Sequence, residues 1–133
     1  MSLRIALVTG AARGMGRAIA LRLAEDVSGV AVHYYSRREE AQELVAIIRE
    51  KGKLSAAFRA DLTRKAQAAG LVKKVEERFG RLDVLVNTVG PFLVKPWDQL
   101  EVADWERVLR GNLLGSYFCL KAVLPGMRKR KWG

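Results

Sequence analysis

Short apolar runs alternate along this chain with longer stretches in which apolar and charged residues recur at helical spacing. Leu3 to Thr9 is almost wholly apolar and stops at Gly10, which predicts a strand buried on both faces. A helix is expected over Gly14 to Asp26, with Ala18, Ile19, Leu21, Leu23 and Ala24 on adjoining inner stripes. Val30 to Tyr35 reads as a second strand. From Arg37 to Lys51 the residues Ala41, Leu44, Val45 and Ile48 fall at i, i+3, i+4 and i+7 with the charges opposite, the signature of an amphipathic helix. Gly52 stands where its C-cap belongs. Leu54 to Ala60 predicts a weaker third strand. Arg64 to Phe79 predicts a helix with Ala68, Leu71, Val72, Val75 and Phe79 on one face and Gly80 closing it. Leu82 to Val86 is the fourth strand, and Pro91 and Pro96 mark a loop. A short helix is expected from Glu101 or Val102 to Arg110. A longer one runs from Asn112 to about Lys129, and Pro125 is expected to kink or end it.

Apolar strands alternating with helices imply a parallel sheet covered on both faces. Right-handed crossovers then give a three-layer, doubly wound α/β fold with strand order 3-2-1-4. The fourth strand keeps one edge open, and an open apolar edge invites self-association, so a homo-oligomer is expected. A length of 133 residues suits one domain, residues 1–133, and half of them are hydrophobic, which excludes wholesale disorder. The single cysteine, Cys119, and single histidine, His33, rule out an internal disulfide and the usual zinc sites, so no metal is expected. One free thiol fits a reducing, cytoplasmic setting. No apolar run reaches the ~18–20 residues of a membrane helix. The first apolar stretch is interrupted by a turn and two arginines, which is not a secretory signal pattern. The net charge of +10 points to an anionic partner without saying which.

The segment Thr9-Gly10-Ala11-Ala12-Arg13-Gly14-Met15-Gly16 follows a predicted strand and opens a predicted helix. Gly10 suits a tight turn, Gly14 lets backbone approach a pyrophosphate, and Gly16 permits close packing of helix on sheet. Free N–H groups and the positive helix pole favour phosphates there. The spacing is G-x-x-x-G-x-G. With it come Asp61-Leu62 after the third strand, Asn87-Thr88-Val89-Gly90 after the fourth, and Asn112-Leu113-Leu114-Gly115 at the last helix. In these four ordered motifs the whole chain resembles the short-chain dehydrogenase/reductase family, most closely its 3-oxoacyl-carrier-protein reductase-like branch. Trp105 and the stretch from Pro125 to Met127 add to the likeness.

The resemblance implies a Rossmann-type fold and an NAD(P)-dependent oxidoreductase that reduces a ketone or 3-oxoacyl substrate. It implies cofactor contacts from the glycine loop, at Gly10, Ala12, Arg13, Gly14, Met15 and Gly16. It further implies contacts from Asp61 and Leu62 at the adenine, and from Asn87, Val89 and Gly90 beside the ribose. Thr88 and Val89 depart from the family's N-N-A-G, and the larger Val89 crowds the ribose side. No carboxylate ends the second strand, where NAD-binding members carry one. Ser36, Arg37 and Arg38 stand there instead, and with Arg13 they suit a 2′-phosphate, so NADP(H) is favoured over NAD(H).

The family's catalysis uses a Ser, a Tyr-x-x-x-Lys and the Asn of N-x-x-G. Only the last is matched, by Asn112, which the resemblance assigns to a proton relay. Tyr117 and Lys121 have the Tyr-x-x-x-Lys spacing but lie on the same helix as Asn112, one strand and one helix too early. Tyr117 is therefore expected to pack with Leu113, Leu114 and Leu120. The chain reads as the cofactor-binding half of a reductase without its catalytic half. The alternative is an inactive nucleotide-binding or interaction module. Arg128 to Lys131 with Trp132 is read as a solvated helix end and not as a nucleic-acid patch. His33, Trp97 and Trp105 are expected to pack, and Cys119 to lie inert in a helix interface.

Overall fold

The computed structural model describes residues 3–133. Four parallel strands form one sheet in the order β3-β2-β1-β4, as the alternation predicts. They are β1 (Ile5–Val8), β2 (Gly29–Tyr34), β3 (Leu54–Arg59) and β4 (Val84–Val86). The period-2 pleat divides the strand side chains between two cores. Ala6, Val8, Val30 and Val32 face α1 (Gly14–Asp26) and α2 (Arg38–Glu50). Ile5, Leu7 and Ala31 face α3 (Lys65–Phe79) and α5 (Gly115–Arg130). The inner face of α1 is Gly16, Ala20 and Ala24, with Ile19, Leu21 and Leu23 flanking, while Ala18 is exposed. Small residues there let the helix sit close to the strands. Gly80 caps α3 in the left-handed region and donates its N–H to Glu76 O at 2.7 Å. β4 is an edge strand, paired only with β1 among the described residues.

The two helices expected after Pro96 are one continuous rod. A single 3-10 turn, Trp97–Gln99, precedes α4 (Val102–Leu109). A π-helical turn, Arg110–Leu114, then joins α4 to α5 without a break. Asn112 therefore lies inside a π turn rather than at a helix start. Pro125 does not end the helix. It is solvent-exposed, so the carbonyl it leaves unpaired can be hydrated, and the next turns are held by tertiary contacts. Chief among these is Arg130, which donates to Leu82 O and pairs with Asp83 at 3.3 Å.

Burial of α5 falls on Gly115, Cys119 and Val123, four residues apart. Tyr117, Leu113 and Leu120 lie on the other side and are 44–63% exposed, contrary to the packing expected for them. Trp97 and Trp105 also stay out of the core, at 79% and 51% exposure, and stack edge-to-face on each other at 6.4 Å. Cys119 is fully buried against α3, and burial pushes its thiol up to about 11. Native protein is expected to react with a maleimide at pH 7 many times more slowly than protein unfolded in urea, a difference that timed mass spectrometry reads.

Candidate functional site

The glycine turn is fixed from three sides. The Thr9 N–H donates to Val86 O at 2.9 Å, which continues the β1–β4 ladder past the last strand residue. The Thr88 N–H donates to Thr9 Oγ1 at 3.1 Å, and Thr88 Oγ1 donates to Thr9 O at 2.5 Å. Thr88, a departure from the resembling family's motif, thus ties the end of β4 to the end of β1. On the third side lies His33 in β2, only 1% exposed. Its Nδ1 accepts from the Gly10 N–H at 3.0 Å, and its Nε2 lies 2.9 Å from Ala60 O.

Gly10 turns the chain with φ +62°, a region that costs any other residue strain. A Cβ there would also meet Val89 Cγ2 at 2.9 Å. At Gly16 a Cβ would collide with Gly10 O and stand 2.7 Å from Thr88 Oγ1. Helix α1 opens at Arg13 without a side-chain cap and without an acid in its first turn. Its first N–H groups and its positive pole therefore face open space.

Three adjoining clefts run along the C-terminal ends of the strands and share Arg13. One of about 530 Å³ is lined by Gly10, Arg13, Gly14, Met15, Gly16, Asn87 and Thr88. One of about 570 Å³ is lined by Arg13, His33, Tyr35, Asp61, Leu62, Val89 and Gly90, among others. One of about 140 Å³ holds Ala12, Arg13, Tyr35, Ser36 and Arg37. Of the residues expected at the cofactor, all but Arg38 line one of the three. Asn87 Oδ1 is buried without a hydrogen-bond donor, although its residue lines the first cleft.

Charge in the clefts is mixed in availability. No carboxylate of the described residues pairs with Arg13, whereas Arg37 is already paired with Glu40 at 2.9 Å. That hydrogen bond from Arg37 holds the Glu40 carboxyl below its ordinary range. Arg38 starts α2 and lines none of the three clefts. Asp61 spends one carboxylate oxygen on the Thr63 hydroxyl at 2.6 Å and the Thr63 N–H at 3.0 Å. These bonds outweigh burial and keep its carboxyl below the usual value.

Asn112 sits apart, in an apolar cleft of about 360 Å³ with Pro91, Phe92, Leu100, Trp105 and Val108. Its Nδ2 donates to Pro91 O at 2.9 Å and to Val108 O at 3.0 Å, fastening the loop after β4 to the rod. A Cβ at Gly90 would overlap Asn112 Oδ1, so glycine is needed where loop and rod meet. Tyr117 and Lys121 line none of these clefts; the Lys121 ammonium lies 5.9 Å from the Tyr117 ring centre. Sequence reasoning missed the anchoring roles of His33 and Thr88. A lone histidine in an otherwise apolar strand, entering the crevice beside a glycine turn, was the available signal.

A family model for short chain dehydrogenases matches residues 4–133. The 3-oxoacyl-[acyl-carrier-protein] reductase FabG of Staphylococcus epidermidis is 38% identical over 128 residues, 96% of this chain and 52% of the relative. A dehydrogenase/reductase from Sinorhizobium meliloti superposes with a TM-score of 0.91 at 32% identity, covering 95% of this chain and 50% of that one. A short chain dehydrogenase from Burkholderia cenocepacia, solved in complex with NADP, gives 0.88 at 37% identity over 92% of this chain and 50% of that one. The chain spans about half the length of the curated relatives it matches. With the family match running from the start of β1 to the last residue, the chain belongs to the short-chain dehydrogenase family.

Proposed function

We propose that this chain binds NADP(H) in the three clefts and is the dinucleotide-binding part of a reductase acting on a ketone or a 3-oxoacyl thioester. The observation that carries the reading is the buried, donorless Asn87 Oδ1 in the same cleft as the uncapped start of α1. A ligand with both sugar hydroxyls and phosphates satisfies that oxygen and those N–H groups together. The bound cofactor supplies hydride. The chain's own part is to bind and orient it. Gly14 leaves room for the pyrophosphate, Gly16 lets α1 sit close against the Gly10 turn, Arg13 with Ser36 meets the 2′-phosphate, and Asp61 with Leu62 borders the adenine. Val89 and Gly90 shape the wall beside the ribose. The small cleft around Ser36 has no carboxylate in its lining, which supports the 2′-phosphate assignment. NADP in the Burkholderia cenocepacia relative supports it too.

In the same reading Asn112 holds the loop after β4 and serves the proton relay, while the Ser and Tyr-x-x-x-Lys of the family have no counterpart in these 133 residues. A second copy is the expected partner. Trp105, Leu109, Leu113 and Tyr117 recur every fourth residue and are each about half exposed or more, a stripe that association would cover. No helix among the described residues is long and apolar enough to cross a membrane. A cytoplasmic setting remains our expectation. Fluorescence titration with NADPH and NADH, followed by a ketone-reduction assay, tests the reading. NADPH is expected to bind more tightly than NADH and to show no turnover above background. Absence of NADPH binding overturns the cofactor assignment, and turnover overturns the claim that the proton donor is lacking.

A further inference from the structure

We infer that His33 is a positioning residue for the dinucleotide: its neutral imidazole, protonated on Nε2 alone, holds the Gly10 amide in place, so that cofactor affinity falls in acid. The inference rests on the cofactor reading above and goes beyond it to what sets the shape of the turn. His33 is the only histidine in the chain. Its ring joins two segments that come from distant parts of the sequence. Nδ1 faces the Gly10 N–H at 3.0 Å, and Nε2 faces Ala60 O at 2.9 Å. An amide N–H can only donate and a carbonyl can only accept. One tautomer alone satisfies both, with Nδ1 bare and the proton on Nε2.

The backbone adds a third tie, since the Ala11 N–H donates to His33 O at 3.0 Å. Side chain and main chain of one β2 residue therefore carry two successive amides of the glycine turn. They leave Gly10 with the positive φ that aims the following residues at the start of α1. On the far side, Ala60 immediately precedes Asp61 at the adenine end of the same cleft. His33 is thus a crossbar between the phosphate end and the adenine end of the candidate site.

A second proton on the ring would lie on Nδ1 and point at the Gly10 N–H. Two donors at 3.0 Å repel, so the ring can charge only if the turn moves away. A cofactor that needs the turn in place holds that proton off, and by linkage acid must then weaken its binding. Burial, partly offset by the bond to Ala60 O, lowers the His33 pKa from its ordinary 6.5. The charged and titratable groups around the cleft that His33 borders are Arg13 of the turn, Tyr35 after β2, Asp61 after β3 and Arg107 of α4. The Asp61 carboxylate is taken up by Thr63 and by Arg64 at 3.5 Å. Arg13 and Arg107 oppose a further positive charge. An imidazolium would also attract the cofactor's phosphates, and that effect alone gives a profile of the opposite sign.

The test has two arms, both on protein freed of any histidine tag. In the first, ¹⁵N NMR of the cofactor-free chain follows the ring nitrogens and the Gly10 amide from about pH 7.5 to about pH 5. The expected result is the Nε2–H tautomer at neutral pH, with the Gly10 amide shifting along the same titration as the ring. A proton on Nδ1, or a Gly10 amide indifferent to that titration, overturns the inference whether or not cofactor binds. In the second, calorimetry measures NADP⁺ affinity over the same range for the wild type, His33→Asn and His33→Phe. Asparagine offers an acceptor and a donor but does not titrate. The 2′-phosphate titrates near pH 6, in every variant alike, so the ratio of wild type to His33→Asn isolates the ring.

That ratio is expected to fall with acid by up to about tenfold per pH unit below the ring's titration, the limit for one proton. At neutral pH His33→Asn should stay within a few-fold of wild type, and His33→Phe should lose about tenfold, the scale of one hydrogen bond to a buried amide. If His33→Phe does not fold, the wild type and His33→Asn carry the test. Parallel profiles for those two, or affinity rising with acid in the wild type, overturn the inference. If no protein binds NADP⁺ at any pH, the cofactor reading fails, and the NMR arm alone decides whether His33 holds Gly10.

Discussion

Replacing Arg13 by alanine is expected to raise the dissociation constant for NADPH by about 10- to 100-fold, the range of a charge-assisted hydrogen-bond pair to a phosphate. NADH affinity should change by no more than a few-fold. Arg13 is the one side chain common to the three clefts, and no carboxylate of the described residues pairs with it. Its guanidinium needs no prior partner to be released. Arg37 differs: it is held by Glu40 at 2.9 Å, and breaking that exposed pair offsets part of what a phosphate contact returns. Arg37→Ala should therefore weaken NADPH less than Arg13→Ala does. Paired titrations of the two variants with both cofactors check this. Equal losses for NADPH and NADH in Arg13→Ala would sink the 2′-phosphate assignment, and a larger effect at Arg37 would reverse the ranking.

The fold was legible because its strongest determinants are local. Ile5 to Val8 is apolar without alternation because both faces of β1 are covered, and the run itself says so. Ala41, Leu44, Val45 and Ile48 share one side of α2 at any helix geometry, and they are its buried residues. What escaped depends on neighbours distant in sequence. Periodicity placed Leu113, Tyr117 and Leu120 on one stripe but could not say whether anything lies over it, and in this structure they are exposed. Pro125 forbids one backbone bond, yet Arg130 tethers the following turns to Leu82 and Asp83. In the candidate site the glycine spacing was visible, while the partners that hold the turn were not. His33 and Gly10 are 23 residues apart, and Thr88 and Thr9 are 79 apart. Arg37 looked available because its pair with Glu40 exists only once α2 has formed.

Asp83→Ala is expected to destabilise the chain by about 3–5 kcal/mol at neutral pH, the cost of removing one member of a buried ion pair. Asp83 is fully buried. Its Oδ2 accepts the Ile5 N–H at 3.0 Å, and Arg81 grips the carboxylate with two bonds of 2.7 Å. Arg130 adds an ion pair at 3.3 Å from the end of α5. One carboxylate thus ties the start of β1, the approach to β4 and the last helix. Alanine leaves two guanidinium groups near one another and a strand N–H without an acceptor. Burial alone would raise the Asp83 pKa, but Arg81, the Ile5 amide and Arg130 together hold it below its ordinary 3.8. A carboxyl with a depressed folded pKa contributes stability that is present above the unfolded value and is lost as pH falls through the folded one. The gap between wild type and Asp83→Ala in urea unfolding should therefore be full at pH 7 and narrow only below about pH 4. Asp83→Asn keeps an acceptor for Ile5 but not the charge, and should fall between the two. A gap that stays constant into that acid range would show that Asp83 holds the chain by packing and not by its charge.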